Sequence, residues 1–212
     1  MSSVEVPPDI RLTAASAGIA MTPAEFDAAS DYDDSVNYEL INWVLVVTPM
    51  SSSSERSPNE LLGNWLFEYE KNHPAGSCLV KTLFEEYLRT NSNRRRADRV
   101  IWVATGSLRP NPKVDVPTIV VEFVSVGKAA WRRDNVEKRD EYLDAGVIEY
   151  WVIDRFRRVL TVYSRQSGQA TEQVVPESGI YRSPLLPGFE LRLAELLAAA
   201  DWWSETGQPG LD

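Results

Sequence analysis

Cysteine and histidine are almost absent from this sequence of 212 residues, which has one of each. With Cys78 alone, an internal disulfide bond and a cysteine-rich metal cluster are excluded, and a reducing cytoplasm is the expected compartment. His73 lies in the predicted turn KNHPAGS. A metal site made of several histidines is therefore excluded, and a Ser-His-Asp triad would depend on this one residue.

Long apolar runs and glycine-rich nucleotide-binding motifs are missing as well. No apolar stretch approaches the roughly 20 residues that span a bilayer. The N-terminal segment, with its early acids and prolines, does not resemble a signal peptide. Neither a P-loop nor the pattern G-x-G-x-x-G occurs, so motifs give no support for nucleotide binding. We expect a cytoplasmic protein without a membrane partner.

The size and composition of the chain are typical of one globular α/β domain. Hydrophobic residues make up 43% of the chain and charged residues 25%, which is ordinary for a globular protein. We expect a flexible tail over residues 1–20, a single domain over residues 21–200 and a C-terminal tail over residues 201–212. The pattern predicts the order α-β-α-β-β-β-α-β-β, with a mixed β-sheet flanked by helices. In this order, residues 38–49 form one strand.

Acidic residues outnumber basic ones, and the net charge of −9 argues against non-specific coating of nucleic acid. The basic residues are nevertheless clustered beside two acids. Such clusters predict contacts with phosphate groups, although solvated strand ends and turns would explain them equally well. The candidate phosphate contacts are Arg94, Arg95, Arg96, Arg132 and Arg133.

Glu122 interrupts an apolar run in the segment PTIVVEFVS. A continuous run of β-branched residues is typical of a strand buried on both faces, where an ionised carboxylate costs several kcal/mol unless it is compensated. A metal ion is one compensation, and Asp98 on a neighbouring predicted strand would then be the second ligand. A buried salt bridge, for example with one of the many arginines nearby, is the alternative.

Lys138 lies on the inward face of a predicted helix over residues 131–145, which Gly146 is expected to end. At about 100° per residue, Trp131, Asn135, Lys138 and Tyr142 fall on one stripe. A lysine is out of place on such a stripe. A structural lysine, which extends past the core and pairs with Asp134 one turn earlier, accounts for this position about as well as a functional one.

Five segments spread over residues 21–200 contain the acids, the apolar strands and the lysine-bearing helix. The segments are YELI (38–41), RRRADRVIWV (94–103), VVEFVS (120–125), EKRDEYLDAGVIEYWVID (137–154) and LLPGFEL (185–191). They resemble the Uma-two putative restriction endonuclease family, a branch of the PD-(D/E)XK nuclease superfamily. The resemblance implies a restriction-endonuclease-like fold and a divalent-metal phosphodiesterase site. It makes Asp98 and Glu122 catalytic metal ligands and Lys138 the catalytic lysine, with Glu39 as an accessory acid.

The chain departs from the family pattern at several positions. The superfamily lysine usually follows the second acid by two residues, and Val124 stands there, so Lys138 on the next helix would replace it. Ala97 precedes Asp98 in place of proline, and Asn42-Trp43 replaces an Asp-Gly turn. Pro58 stands about where many relatives have a histidine, so a histidine base is not expected.

The resemblance implies an Mg²⁺- or Mn²⁺-dependent endonuclease that hydrolyses phosphodiester bonds in nucleic acid. DNA is favoured over RNA by family analogy alone, and a homodimer is expected. One alternative is a nuclease-like protein that binds nucleic acid or a partner without cutting. Another is a structural homodimer in which the buried charges only pair, with the Trp202-Trp203 pair at its interface.

Overall fold

The computed structural model describes residues 11–73, 78–104, 109–166 and 169–205. The described residues divide into two compact units. Those within residues 1–50 and 87–96 form the smaller unit, and those within residues 51–86 and 97–212 form the larger unit.

The smaller unit, among its described residues, is built from short strands, one short α-helix and a 3-10 turn over Ala14–Ser16. Its core is formed by Leu12, Met21, Tyr38, Leu40 and Leu45. Residues 11–20 lie in the predicted N-terminal tail, yet they contribute a strand and the buried Leu12 to this core, while residues 1–10 lie outside the described residues. The elements are β1 (Arg11–Leu12), α1 (Pro23–Ala28), β2 (Asp31–Tyr32), β3 (Val36–Ile41) and β4 (Val44–Pro49).

Residues 38–49, predicted as one strand, instead form most of a hairpin in which β3 and β4 pair antiparallel. The two residues between the strands, Asn42 and Trp43, have φ angles of 49° and 67°. Positive φ at both central residues is what a tight two-residue hairpin turn requires. The Asn42 N–H also donates to Asn93 Oδ1 at 2.7 Å, which ties the turn to the rest of this unit.

The larger unit contains a mixed sheet with helices against it, which confirms the predicted fold class. Its strands follow the order β10-β9-β8-β7-β6, with β5 also paired to β6. Strands β7 and β8 are parallel, and the pairs β6-β7, β8-β9 and β9-β10 are antiparallel. The elements from Ser53 onward are α2 (Ser53–Asn72), β5 (Leu79–Arg89), β6 (Arg94–Val103), β7 (Ile119–Phe123), α3 (Lys128–Arg132), a π-helical turn (Arg133–Glu137), α4 (Lys138–Ala145), β8 (Glu149–Asp154), β9 (Val159–Gln166), β10 (Gln169–Pro176), β11 (Ile180–Tyr181), β12 (Leu191–Arg192) and α5 (Leu193–Glu205). Strands β5 and β6 contribute residues to both units.

The two faces of β7 have different partners. Ile119, Val121 and Phe123 join the large apolar core together with residues of α2 and α5. Because side chains alternate along a strand, Glu122 points to the opposite face. There it meets the helical segment that begins at Lys128 and ends at Gly146, whose φ of 108° makes it the predicted helix-terminating glycine.

The C-terminal helix α5 extends through Glu205, so the first residues of the predicted C-terminal tail, 201–212, are helical. Among the described residues, no helix is long and apolar enough to cross a membrane.

Candidate functional site

Asp98 and Glu122 lie on adjacent strands of the larger unit. Arg99 of β6 pairs with Val121 of β7 in an antiparallel register. Continuing that register by one residue places Asp98 opposite Glu122, and directly opposed side chains project from the same face of a sheet. The tertiary structure thus brings together two acids that are 24 positions apart in the sequence.

The Asp98 carboxylate is held by the neighbouring strand. The backbone N–H of Phe123 donates to Asp98 Oδ2 at 2.7 Å. The Asn59 side chain donates to the Asp98 carbonyl at 2.8 Å, and Asn59 Oδ1 accepts from Arg99 Nε at 2.7 Å. Helix α2 therefore fixes the backbone of Asp98 from one face of the sheet, while the Asp98 carboxylate projects from the opposite face.

Glu122 and Lys138 form a buried ion pair. Lys138 Nζ lies 2.8 Å from Glu122 Oε1, and each residue is only 3% exposed. The Tyr142 hydroxyl, one helical turn further on, donates to the same oxygen at 3.0 Å. The amine beside Glu122 thus comes from the helix, since the position two residues after Glu122 is the buried Val124.

The two simpler interpretations of these charges are only partly matched by the geometry. Glu122 does form a buried salt bridge, and its partner is Lys138. Lys138 does face Asp134, but at 3.9 Å, compared with 2.8 Å to Glu122. Lys138 is buried on the inward face of the helix, as its position on the helical stripe predicts. The shorter of its two carboxylate contacts is with Glu122 on β7.

The acids of this site are held in an environment that disfavours negative charge. Burial raises the pKa of Asp98 to about 6, against the smaller opposing effect of Lys138. Burial also raises the pKa of Glu122 well above its ordinary value, again opposed by Lys138, and the charge of Asp98 raises it further. One lysine therefore does not compensate the carboxylates around it, and further positive charge would stabilise their ionised forms.

Asp134 is a further acid near Lys138, and it did not stand out in the sequence except as a helical partner. It is 1% exposed, its Oδ1 accepts from Arg133 Nε at 3.0 Å, and its Oδ2 is buried without a hydrogen-bond partner among the described residues. The Tyr150 hydroxyl donates to its backbone carbonyl at 2.8 Å. Asp134 lies in the π-helical turn, and such turns are frequent at functional sites. Periodicity at 100° per residue does not predict such a turn.

Two facing carboxylates fit a hard divalent cation that keeps several of its waters. Within the described residues, no group of three or more histidine, cysteine, aspartate or glutamate side chains is arranged to hold a metal. A metal here would therefore be held by Asp98 and Glu122 with water completing its coordination. Mg²⁺ suits such a site because it usually binds through one or two carboxylates.

Glu39 belongs to the smaller unit, where it has its own partners. It is 5% exposed, and its Oε1 accepts from the backbone N–H of Arg96 at 2.8 Å. Its Oε2 lies 3.9 Å from Arg95 Nη1. These contacts tie β3 to the start of β6 within that unit.

The candidate phosphate contacts differ in their surroundings. Arg94 and Arg95 are buried, Arg94 binds Asp27 at 2.7 Å, and Arg95 lies near Glu39. We therefore no longer propose these two as phosphate contacts, because their side chains are largely enclosed and already lie beside the carboxylates of Asp27 and Glu39. Arg133 is 29% exposed and donates to Asp134, whereas Arg132 is 74% exposed.

Comparisons with known proteins agree with this architecture. The model of the family described as "Uma2: Putative restriction endonuclease" matches residues 23–194. A crystal structure described as a putative nuclease belonging to DUF820 from Anabaena variabilis is similar with a TM-score of 0.67 and 14% sequence identity, covering 85% of this chain and 99% of the other. At that identity the likeness shows the fold alone. No curated protein matches the chain significantly.

Proposed function

This chain belongs to the Uma2 putative restriction endonuclease family, and from that premise we propose that it is a metal-dependent endonuclease that hydrolyses phosphodiester bonds in nucleic acid. DNA is the proposed substrate class, the cytoplasm the proposed compartment and a homodimer the proposed assembly. The observation that carries the proposal is the register that sets Asp98 opposite Glu122, with Lys138 Nζ 2.8 Å from Glu122.

Asp98 and Glu122 are the proposed ligands of Mg²⁺ or Mn²⁺. Such an ion, when bound, supplies positive charge for a phosphoryl oxygen and promotes ionisation of water. The Phe123 N–H keeps the Asp98 carboxylate oriented, and Tyr142 does the same for Glu122. Both acids are therefore held in place before any ligand arrives, which reduces the reorganisation needed for binding.

Lys138 is the proposed catalytic lysine. Its amine is positioned to hold a nucleophilic water or to offset negative charge that develops on the phosphate. Asp134 stands 3.9 Å from the same amine, so a second carboxylate remains to keep the lysine charged when Glu122 binds a cation. Arg96, Arg132 and Arg133 remain proposed phosphate contacts, and Glu39 remains a proposed accessory acid within its own unit.

A plasmid-nicking assay tests this function. Supercoiled DNA is incubated with the full chain in Mg²⁺ or Mn²⁺, with and without a chelator. We expect nicking that needs the ion and is lost in Asp98→Asn and Glu122→Gln. Glu60→Gln, at an exposed position of α2, serves as a matched control and should nick like the unmodified chain. Nicking that survives both site substitutions would refute the assigned site.

The ion pair itself favours a second candidate, a nuclease-like protein that binds nucleic acid without cutting it. Lys138 and Glu122 already neutralise each other in the buried site, and a pair that stays closed would exclude the cation. In that case the chain would bind DNA in a gel-shift assay, and neither Mg²⁺ nor Mn²⁺ would produce nicks at any pH tested.

A further inference from the structure

Two arginine side chains of the turn that follows β8 lie over aromatic rings in the larger unit. The guanidinium carbon of Arg157 is 4.2 Å from the centroid of the Trp131 ring. That of Arg155 is 4.4 Å from the centroid of the Phe156 ring. Arg157 keeps 59% of its side chain exposed and Phe156 is 51% exposed. These two arginine–aromatic pairs therefore expose planar groups to solvent.

The turn that carries these arginines is held by a buried acid. Asp154 is 3% exposed, and its Oδ1 accepts from the backbone N–H groups of Phe156 and Arg157, both at 2.9 Å. Its Oδ2 lies 3.8 Å from Arg157 Nε. Contacts with the indole and with the carboxylate thus position the guanidinium, which lowers the entropy lost when a ligand binds it.

The Arg157–Trp131 pair is close to the proposed catalytic residues. Strands β7 and β8 are parallel, so their carboxyl ends meet at the same edge of the sheet. Glu122 is next to the end of β7, and Asp154 ends β8. Trp131 precedes Lys138 on the same continuous helical segment by about 10 Å at 1.5 Å per residue. A nucleic-acid strand at the acids would pass within reach of this pair.

We propose that Arg157, stacked on Trp131, is a binding subsite for an unpaired nucleobase of single-stranded nucleic acid. The inference rests on the proposed function and deepens it. A planar guanidinium stacks on a base and attracts the adjacent phosphate, and the indole beneath holds it in that plane. Bases inside a duplex have both faces covered, so this subsite selects frayed, looped or single-stranded segments. The exposed Arg132 beside Trp131 adds positive charge for the backbone.

Fluorescence anisotropy with a labelled single-stranded oligonucleotide of about 20 nucleotides, and with its duplex, tests the subsite. Binding is measured in a chelator, so that no cleavage takes place. Arg157→Lys keeps the charge and removes the planar stacking surface. We expect it to weaken single-strand binding at least about fivefold, within the range found for one base–aromatic stack. Duplex binding should change less than twofold.

The salt dependence separates stacking from simple charge attraction. Arg157→Lys should keep the slope of log affinity against log salt, whereas Arg157→Gln should reduce its magnitude by about 0.7 for a single strand. Trp131→Phe, which keeps an aromatic face, should retain more affinity than Trp131→Ala. Arg165→Lys is the matched control. Arg165 is 42% exposed, and its N–H donates to Ile148, just before the start of β8 and so at the opposite edge of the sheet.

Each outcome decides for or against the subsite. Arg157→Lys that binds the single strand like the unmodified chain would overturn it, and so would equal losses for single strand and duplex, or a full-length chain that binds neither. A chain that shows the expected losses but never nicks DNA would refute the nuclease and leave the subsite standing. A chain that nicks DNA and shows no loss in Arg157→Lys would refute the subsite alone.

Discussion

Lys138 Nζ lies 2.8 Å from Glu122 Oε1, and both side chains are almost completely buried. Removal of one partner from a buried pair usually leaves an uncompensated charge. Here either residue could remain without an uncompensated charge. Glu122 can bind a proton, because the site already raises its pKa, and Lys138 has the Asp134 carboxylate at 3.9 Å. We therefore expect that a cation or a substitution can open the pair without loss of the fold.

Substitution of Lys138 by methionine separates catalysis from structure. Methionine fills a similar volume on the buried stripe, so we expect a folded protein that still gains stability from Mn²⁺. Nicking should fall by a factor of about 100 or more, which is typical when a positioned proton-transfer or charge-stabilising group is lost. Initial nicking rates and thermal melting curves measure the two effects. Near-normal nicking by this variant would remove Lys138 from the mechanism.

Divalent cations should stabilise the folded protein through Asp98 and Glu122. An ion present at 100 times its dissociation constant adds about 2.7 kcal/mol to the free energy of unfolding, or about 5–10 °C in Tm for a chain of this size. Asp98→Asn and Glu122→Gln should abolish the increase, while the exposed Glu60→Gln should keep it. The melting temperature is measured with Mn²⁺ and with a chelator.

The melting temperature of Glu122→Gln in the chelator tests what the Glu122–Lys138 ion pair contributes to stability without metal. Glutamine at position 122 still presents an oxygen to Lys138 and Tyr142, and it removes the repulsion from Asp98. We therefore expect the metal-free variant to be at least as stable as the unmodified chain. A much lower Tm in the chelator would instead mean that charge pairing with Lys138 is the main role of Glu122.

Asp98 should make stability depend on pH in a defined direction. Its pKa is raised to about 6 in the folded protein, against roughly 3.9 for an unfolded aspartate. Between these values the folded state binds more protons than the unfolded state, so this group makes stability fall as pH rises from about 4 to about 6. The Asp98→Asn variant has no such titrating group, so it does not show this fall in stability between about pH 4 and about pH 6. In a chelator, its Tm relative to the unmodified chain should therefore rise over that interval, and a constant difference would contradict the assignment.

Gly63 should be intolerant of alanine although it lies within helix α2. A Cβ added there would stand 2.6 Å from Arg99 Nη2. That guanidinium cannot move cheaply, because it is buried and donates to Asn59 and Thr82. We expect Gly63→Ala to lower stability by about 1–3 kcal/mol, the usual cost of overpacking, despite the better helix propensity of alanine. Chemical denaturation measures the change.

Asn64→Ala provides the matched control, because Asn64 is exposed on the same helix. It should be neutral or slightly stabilising, as helix propensity alone predicts. If Gly63→Ala proved as stable as this control, Arg99 would not be held rigidly behind the helix, and the support that α2 gives to the backbone of Asp98 would be weaker than the contacts indicate.

Local patterns in the sequence determined which residues are unusual. An acid within the apolar run of β7 and a lysine on an inward helical stripe are visible from periodicity, because buried positions repeat every two residues in a strand and about every 3.6 in a helix. The helix-terminating Gly146 and the mixed sheet with flanking helices followed from the same kind of information. The turn at Asn42-Trp43 was missed because it lacks glycine, the usual marker of such a turn.

Only the tertiary structure decided which of these residues meet. Periodicity assigns a side chain to a face but does not choose its partner, and the choice depends on strand register and on how a helix packs over the sheet. The β6-β7 register set Asp98 opposite Glu122, and helix packing brought Lys138 to Glu122 in preference to Asp134. Arg94 and Arg95 belong to the same charged run as Arg96, yet folding enclosed them beside the carboxylates of Asp27 and Glu39. A buried charge must find a partner, and the fold determines which partner is within reach.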